Sequence, residues 1–207
     1  MSHPAPRLNA NAFRTYSGVM LDLSDPEHAI IRAEDIAHHL ARVCRFGGSI
    51  DGYYSVASHC VYVSRRLQEE GHSWYVQAAG LLHDAAEAYL GDVVSGLKRL
   101  LPEYRALEDR WSRRIEDYFD VHFSNRESPV GLAVKDADLR ARLAEARDLF
   151  LETPYPRMNL LGGEDGRDAY LTPVVEEAPC DAEWSWLARA RELGLLVDSQ
   201  FPTEFVR

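Results

Sequence analysis

Apolar residues recur along most of the chain at the three-to-four-residue interval of amphipathic helices, and stretches that alternate as strands do are few. Ile36, Leu40 and Val43 predict a helix over Ala33–Arg45, preceded by the cap-then-proline signal Asp25-Pro26-Glu27 and stopped by Gly47-Gly48. Val56, Cys60 and Val63 predict a second over Tyr54–Leu67, with Arg65 and Arg66 placed where cations suit the end of a helix. After the break at Gly71-His72-Ser73, Ser73 can cap a third that runs through Val76, Ala79, Leu82 and Ala86 to about Leu90, where Gly91 stops it. Leu107, Trp111, Ile115 and Tyr118 mark a helix over Glu103–Phe119 whose outer face carries Glu108, Arg110, Arg113 and Glu116. Pro129 opens another through Val134 and Leu143 to about Leu151, and a last one covers Asp181–Leu193.

Two stretches depart from this pattern. Pro4–Asp25 reads as loop with a short strand where Val19, Leu21 and Leu23 alternate, and Glu152–Pro179, rich in proline and glycine, reads as an irregular excursion or flap. The expectation is one all-α domain over residues 1–207, a helical bundle with an irregular C-terminal excursion.

Composition narrows the function classes. A formal charge of −10 argues against a nucleic-acid surface, so a polyanionic ligand would need a bound cation and a few chosen basic residues. Cys44, Cys60 and Cys180, odd in number and without metal-site spacing, read as core thiols of a reducing compartment. No apolar run approaches a membrane span and Met1–Ala12 has no signal-peptide core, so no membrane partner is expected and the cytoplasm is the expected location.

The candidate chemistry lies in the third helix, where His83 and Asp84 interrupt small and apolar residues. Burying an ionised carboxylate beside an imidazole is costly unless a cation or a hydrogen-bonding network compensates, and a divalent metal would do so. Consecutive helix positions diverge by about 100°, so the pair cannot close a coordination shell alone. His59 on the preceding helix and Asp138 on a later one are the candidates to complete it. Buried ion pairs are the plainer alternative, but they account poorly for two histidines and two acids on three helices.

This ordered set resembles the H…HD…D signature of the HD phosphohydrolases. The flanking stretches Asp35–Leu40, Arg45–Gly48, Tyr54–His59 and Leu82–Asp92 resemble the branch that holds bacterial 5′-deoxynucleotidases and phage dATP triphosphohydrolases, and the similarity runs from about Asp35 to Asp148. It implies an HD-type fold and one divalent ion (manganese, cobalt, iron, zinc or magnesium) on His59, His83, Asp84 and Asp138. It implies that Glu87 supports the ligands from behind or transfers a proton, that Asp92 handles a proton, that Arg45 and Lys98 bind phosphate, and that Phe46 lies at the nucleoside pocket or in the core. The implied substrate is a nucleotide, with adenine or other purine bases favoured, cut at its 5′-phosphate or phosphates. A homo-oligomer is expected by the same analogy.

Other branches fit less well. Glu87 is followed by Ala88 where guanosine-tetraphosphate hydrolases carry an acid, and Ala85-Ala86-Glu87 stands where the dGTPase-like branch has a glycine-histidine element. Gly96 replaces a proline that crowds the ribose 2′-hydroxyl in relatives, which predicts weaker sugar discrimination. The non-enzymatic alternative is a catalytically idle nucleotide-binding or regulatory module, for which the retained Glu87 and Asp92 have no use. His38-His39 reads as surface or capping residues, and Glu145 and Asp148 as acids facing the side of Asp138, explained equally well by bonds to neighbouring helices.

Overall fold

The computed structural model describes residues 10–150 and 169–196; residues 152–168 of the expected flap lie outside that range. Among the described residues the fold is all-α apart from one small antiparallel pair, β1 (Ala12–Arg14) and β2 (Met20–Asp22), in which Phe13 pairs with Leu21. A single 3-10 turn over Pro26–His28 leads from it to α1 (Ala33–Leu40). There follow α2 (Val56–Glu69), α3 (Trp74–Leu82), the short α4 (Glu87–Leu90) and α5 (Ser95–Lys98), α6 (Pro102–Phe119), α7 (Pro129–Leu149) and α8 (Pro179–Glu192).

The second helix is the hub. It packs on α3, α7 and α8, and Val56, Ala57, Cys60, Val63 and Leu67 are all fully buried. Burying such side chains stabilises by roughly 1.5–3 kcal/mol for each large one. Gly80 lets α3 come close, since a Cβ there would lie 2.5 Å from Leu67 Cδ1. Arg189 of α8, almost fully buried, donates to Ser64 Oγ at 2.9 Å and Gln77 Oε1 at 2.7 Å, tying α8 to α2 and α3. Trp111 of α6 stacks on Tyr89 at 4.3 Å and donates to the Leu23 carbonyl, which closes the β1–β2 side.

Most boundaries fall within a few residues of the periodic pattern; two differ in kind. The first helix stops at Leu40 rather than at Arg45. Cys44 instead bridges to Ser55, the Arg45 N–H donates to the Tyr54 carbonyl at 2.9 Å, and Arg45–Gly48 forms an isolated turn. Inside it Phe46 sits at φ 57°, a left-handed conformation that costs a non-glycine residue roughly 1–2 kcal/mol.

The expected third helix also breaks, at His83. The His83 ring takes the Gly80 carbonyl that a continuing helix would offer to the Asp84 amide, and the amides of Ala85, Glu87, Ala88 and Tyr89 bond three residues back. The chain is thus wound more tightly here, with residues three apart nearly eclipsed, which sets Glu87 beneath Asp84. Of the three cysteines, Cys60 is buried as expected, Cys44 is half-buried and Cys180 is exposed, so the core reading fails for Cys180.

Candidate metal centre

Three elements of the hub converge on one point. His59 comes from α2, Asp138 from α7, and His83 with Asp84 from the tight turn after α3. His59 Nε2 lies 3.3 Å from His83 Nε2, 3.3 Å from Asp138 Oδ1 and 3.7 Å from Asp84 Oδ2. His83 Nε2 in turn lies 3.1 Å from Asp84 Oδ2 and 4.0 Å from Asp138 Oδ1. Donors about 2.1 Å from one ion sit roughly 3.0–3.4 Å apart, so the set has nearly the spacing of a shared cation.

The protonation pattern agrees. His59 Nδ1 is 2.5 Å from Glu145 Oε1, and His83 Nδ1 is 2.9 Å from the Gly80 carbonyl. Both partners only accept, so each Nδ1 carries a hydrogen and each ring turns its Nε2 toward the other. Two ring nitrogens 3.3 Å apart beside two carboxylates suit a shared proton or a cation between them. A carboxylate or carbonyl behind the ring is the usual outer support of a metal-binding histidine.

Charge points the same way. Asp84, Asp138 and Glu145 crowd the cluster against Arg45 and Arg142: Arg45 Nη2 is 3.1 Å from Glu145 Oε2, Arg45 Nη1 is 3.6 Å from Asp84 Oδ2, and Arg142 Nη2 is 3.4 Å from Asp138 Oδ2. Burial would protonate these acids. The charge of His83 nevertheless holds Asp84 well below the usual carboxylate range, and His59 and Arg142 do the same for Asp138. Glu145 is likewise lowered against burial, by Arg45 and His59. Burial opposes a charge on His83, yet Asp84 raises its pKa well above the usual value. The residues present therefore fit a divalent cation with mixed nitrogen and oxygen ligation.

The other expected residues surround this point in different ways. Glu87 is buried, with Oε1 bonded to Lys98 Nζ at 2.9 Å and Oε2 without a partner among the described residues. Burial first, and the charge of Asp84 second, push its pKa well above 4.5. Lys98 also donates to Glu108 at 2.6 Å, so it is held between two acids rather than solvated. Asp92 is half-buried and raised by burial, with the Arg45 charge opposing. Phe46 packs edge-on against Phe150 at 5.1 Å and beneath the Arg45 guanidinium. A cavity of about 170 Å³ beside the cluster is lined by His83, Asp84, Glu87, Lys98 and Asp138, but not by Arg45, Phe46 or Asp92.

Sequence reasoning undervalued Glu145 and passed over Arg142. The signal for Glu145 was present: it lies two turns from Asp138 on the buried face that carries Ala137, Ala141 and Ala144. Asp148 instead accepts from the Val174 amide at 2.9 Å and anchors the segment leading to α8. His38 and His39 are half-buried ties, not surface or capping residues: His39 Nδ1 donates to the Ala88 carbonyl at 2.8 Å, and His38 stacks on Tyr16 at 3.5 Å and faces Glu183. Cys60 is a further donor near the pair, its sulfur within 4.8 Å of ligand atoms of His83 and Asp84.

No protein-family model matches the chain. It is 35% identical over 140 residues to the uncharacterized protein YfdR of Escherichia coli strain K12, spanning 67% of this chain and 72% of that protein. It is 36% identical over 143 residues to an uncharacterized protein of Rhodobacter capsulatus, spanning 66% of this chain and 71% of that protein. The chain belongs to the family of these two proteins.

Proposed function

We propose that this protein is a metal-dependent phosphohydrolase of the HD type that hydrolyses the 5′-phosphate or phosphates of nucleotides, purine nucleotides foremost, as a 5′-nucleotidase or a nucleoside-triphosphate triphosphohydrolase. The observation that carries the reading is the convergence of two imidazole nitrogens and two carboxylate oxygens from three separate elements, with both rings oriented from behind. What a divalent cation supplies when held by His59, His83, Asp84 and Asp138 is Lewis acidity toward a phosphoryl oxygen and a more acidic water.

The surrounding side chains do the rest. The Arg45 guanidinium, fixed by Glu145, reaches the edge of the ligand set and is placed to stabilise charge on a bound phosphoryl group. Burial and the charge of Asp84 disfavour the ionised form of Glu87, and its oxygen without a partner among the described residues adjoins the cavity, which suits donation to a leaving oxygen. Lys98, bonded to the other Glu87 oxygen, orients that carboxyl and adds positive charge. Asp92 takes the proton of the attacking water in this reading, and Phe46 lines the nucleoside side.

Among the described residues no helix is long and apolar enough to cross a membrane. A cytoplasmic location and a homo-oligomer belong to the proposal, and a monomeric mass in solution would remove the latter. Gly96 is exposed and carries no side chain to crowd a sugar, and a Cβ there would meet Arg99 Nη2 at 4.0 Å; a deoxy-to-ribo preference below about a hundredfold, near 2.7 kcal/mol, is expected.

The deciding assay is release of phosphate and oligophosphate from a panel of ribo- and deoxyribonucleoside mono-, di- and triphosphates with manganese or cobalt added, for wild type and Asp84→Ala. Metal-dependent release that the variant loses supports the reading. An inert wild type that still binds nucleotide moves it to the regulatory module.

A further inference from the structure

The cavity beside the ligand set brings together more positive charge than the metal centre uses. Lys98 and Arg142 reach it from α5 and α7, half-buried and already engaged with Glu87 and Asp138. Lys135 and Arg126 reach it from the rim, exposed and without an ion pair among the described residues. Lys135, Asp138 and Arg142 fall at i, i+3 and i+7 on one face of α7, so two cations flank the ligand aspartate along about 10 Å of helix.

Acids also face the cavity, but their charge is largely committed. Asp84 and Asp138 are the carboxylates a divalent cation would offset, Glu87 and Glu108 share the Lys98 ammonium, and Asp109 lies exposed at the edge. With the ion in place, the remaining field favours an anion. Size selects what can enter. At about 170 Å³ the cavity is smaller than the roughly 300–1,000 Å³ of sites that enclose drug-sized molecules, which suits a compact, highly charged group. Phe46 and Arg45 do not line it, so it is distinct from the side read above as the nucleoside side.

We propose that this cavity is a second anion subsite, built on Lys135, Arg142, Arg126 and Lys98, that takes the oligophosphate part of a nucleotide beyond the phosphate held at the ligand set. The inference rests on the phosphohydrolase reading and deepens it, because a subsite for further phosphates makes polyphosphorylated nucleotides the better ligands.

The test is binding, by calorimetry, of inorganic tripolyphosphate and of orthophosphate at a fixed excess of manganese, for wild type, Lys135→Ala and Arg126→Ala. Both substitutions lie at exposed positions and spare every residue of the ligand set. Tripolyphosphate is expected to bind wild type at least tenfold more tightly than orthophosphate, and each variant to lose about five- to tenfold for tripolyphosphate and under twofold for orthophosphate. Equal affinities for the two anions, or variants that bind tripolyphosphate as wild type does, overturn the subsite. Manganese uptake and nucleotide hydrolysis by the same preparations judge the phosphohydrolase reading separately. Hydrolysis with equal anion affinities overturns the subsite alone, whereas tight, Lys135-dependent tripolyphosphate binding without any hydrolysis supports the subsite and overturns that reading.

Discussion

His38-His39 and His59 with His83 are two pairs of the same residue put to opposite uses. In His39 both ring nitrogens are consumed by the protein: Nδ1 donates to the Ala88 carbonyl, and Nε2 accepts from the Tyr16 amide at 3.0 Å. His38 is covered by the Tyr16 ring and faces Glu183, and burial lowers its pKa. In the other pair only Nδ1 is consumed, and each Nε2 faces its counterpart and the two aspartates. The difference teaches that a histidine's role is written in which nitrogen its neighbours leave open, not in whether it is buried. A fully satisfied ring joins elements; a half-satisfied one is prepared to bind.

The largest expected contrast follows from that difference. Asp84→Ala is expected to cut hydrolysis by at least about a thousandfold and to abolish the metal-dependent rise in melting temperature. That rise should be about 5–10 °C in wild type at a metal concentration near a hundred times Kd. His39→Ala should keep both the metal rise and the activity per folded molecule. Loss of metal binding in His39→Ala, with its fold intact by circular dichroism, would erase the distinction between the pairs.

Next in size is Glu87→Gln, expected to lower kcat by about a hundredfold. Its pH behaviour identifies the cause. The folded-state pKa of Glu87 is raised, so its contribution to stability is full below the ordinary value of 4.5 and is lost as pH rises through the raised value. Glutamine cannot ionise, so the metal-free variant should gain stability relative to wild type as pH increases above 4.5, read from denaturant midpoints. A stability difference flat across pH would place the carboxyl outside the buried, proton-holding role.

Glu145→Gln sharpens the comparison from behind the ring. It keeps an acceptor for His59 Nδ1 but removes the charge that steadies Arg45, and metal affinity should fall about ten- to hundredfold with the ligands themselves unchanged. Metal titration with a competing chelator measures it. The smallest effect is expected of His39→Ala on stability, about 1–3 kcal/mol in chemical denaturation, from the lost tie between Tyr16 and Ala88 and the void left behind.

Much of this was legible in the chain, because helical periodicity is a local property. Ile36 with Leu40, Val56 with Cys60 and Val63, and Leu107 with Trp111 and Ile115 each mark the buried face of a helix whatever it packs on, and the all-α class follows from them. His59, His83, Asp84 and Asp138 stood out because charged and imidazole groups are expensive on such faces. What periodicity could not mark is where a helix yields to a nonlocal demand. Nothing in Leu82–Ala86 lowers helix propensity enough to break it; the His83 ring claiming the Gly80 carbonyl does. The early end of α1 similarly depends on pairing with Tyr54 and Ser55 across a loop. The ring orientations of His59 and His83, the buried bond from Arg45 to Glu145 and the cations around the cavity were decided only by the tertiary structure. Each depends on side chains dozens of residues apart meeting at hydrogen-bonding distance, and such distances are fixed by how helices pack rather than by any interval along the sequence.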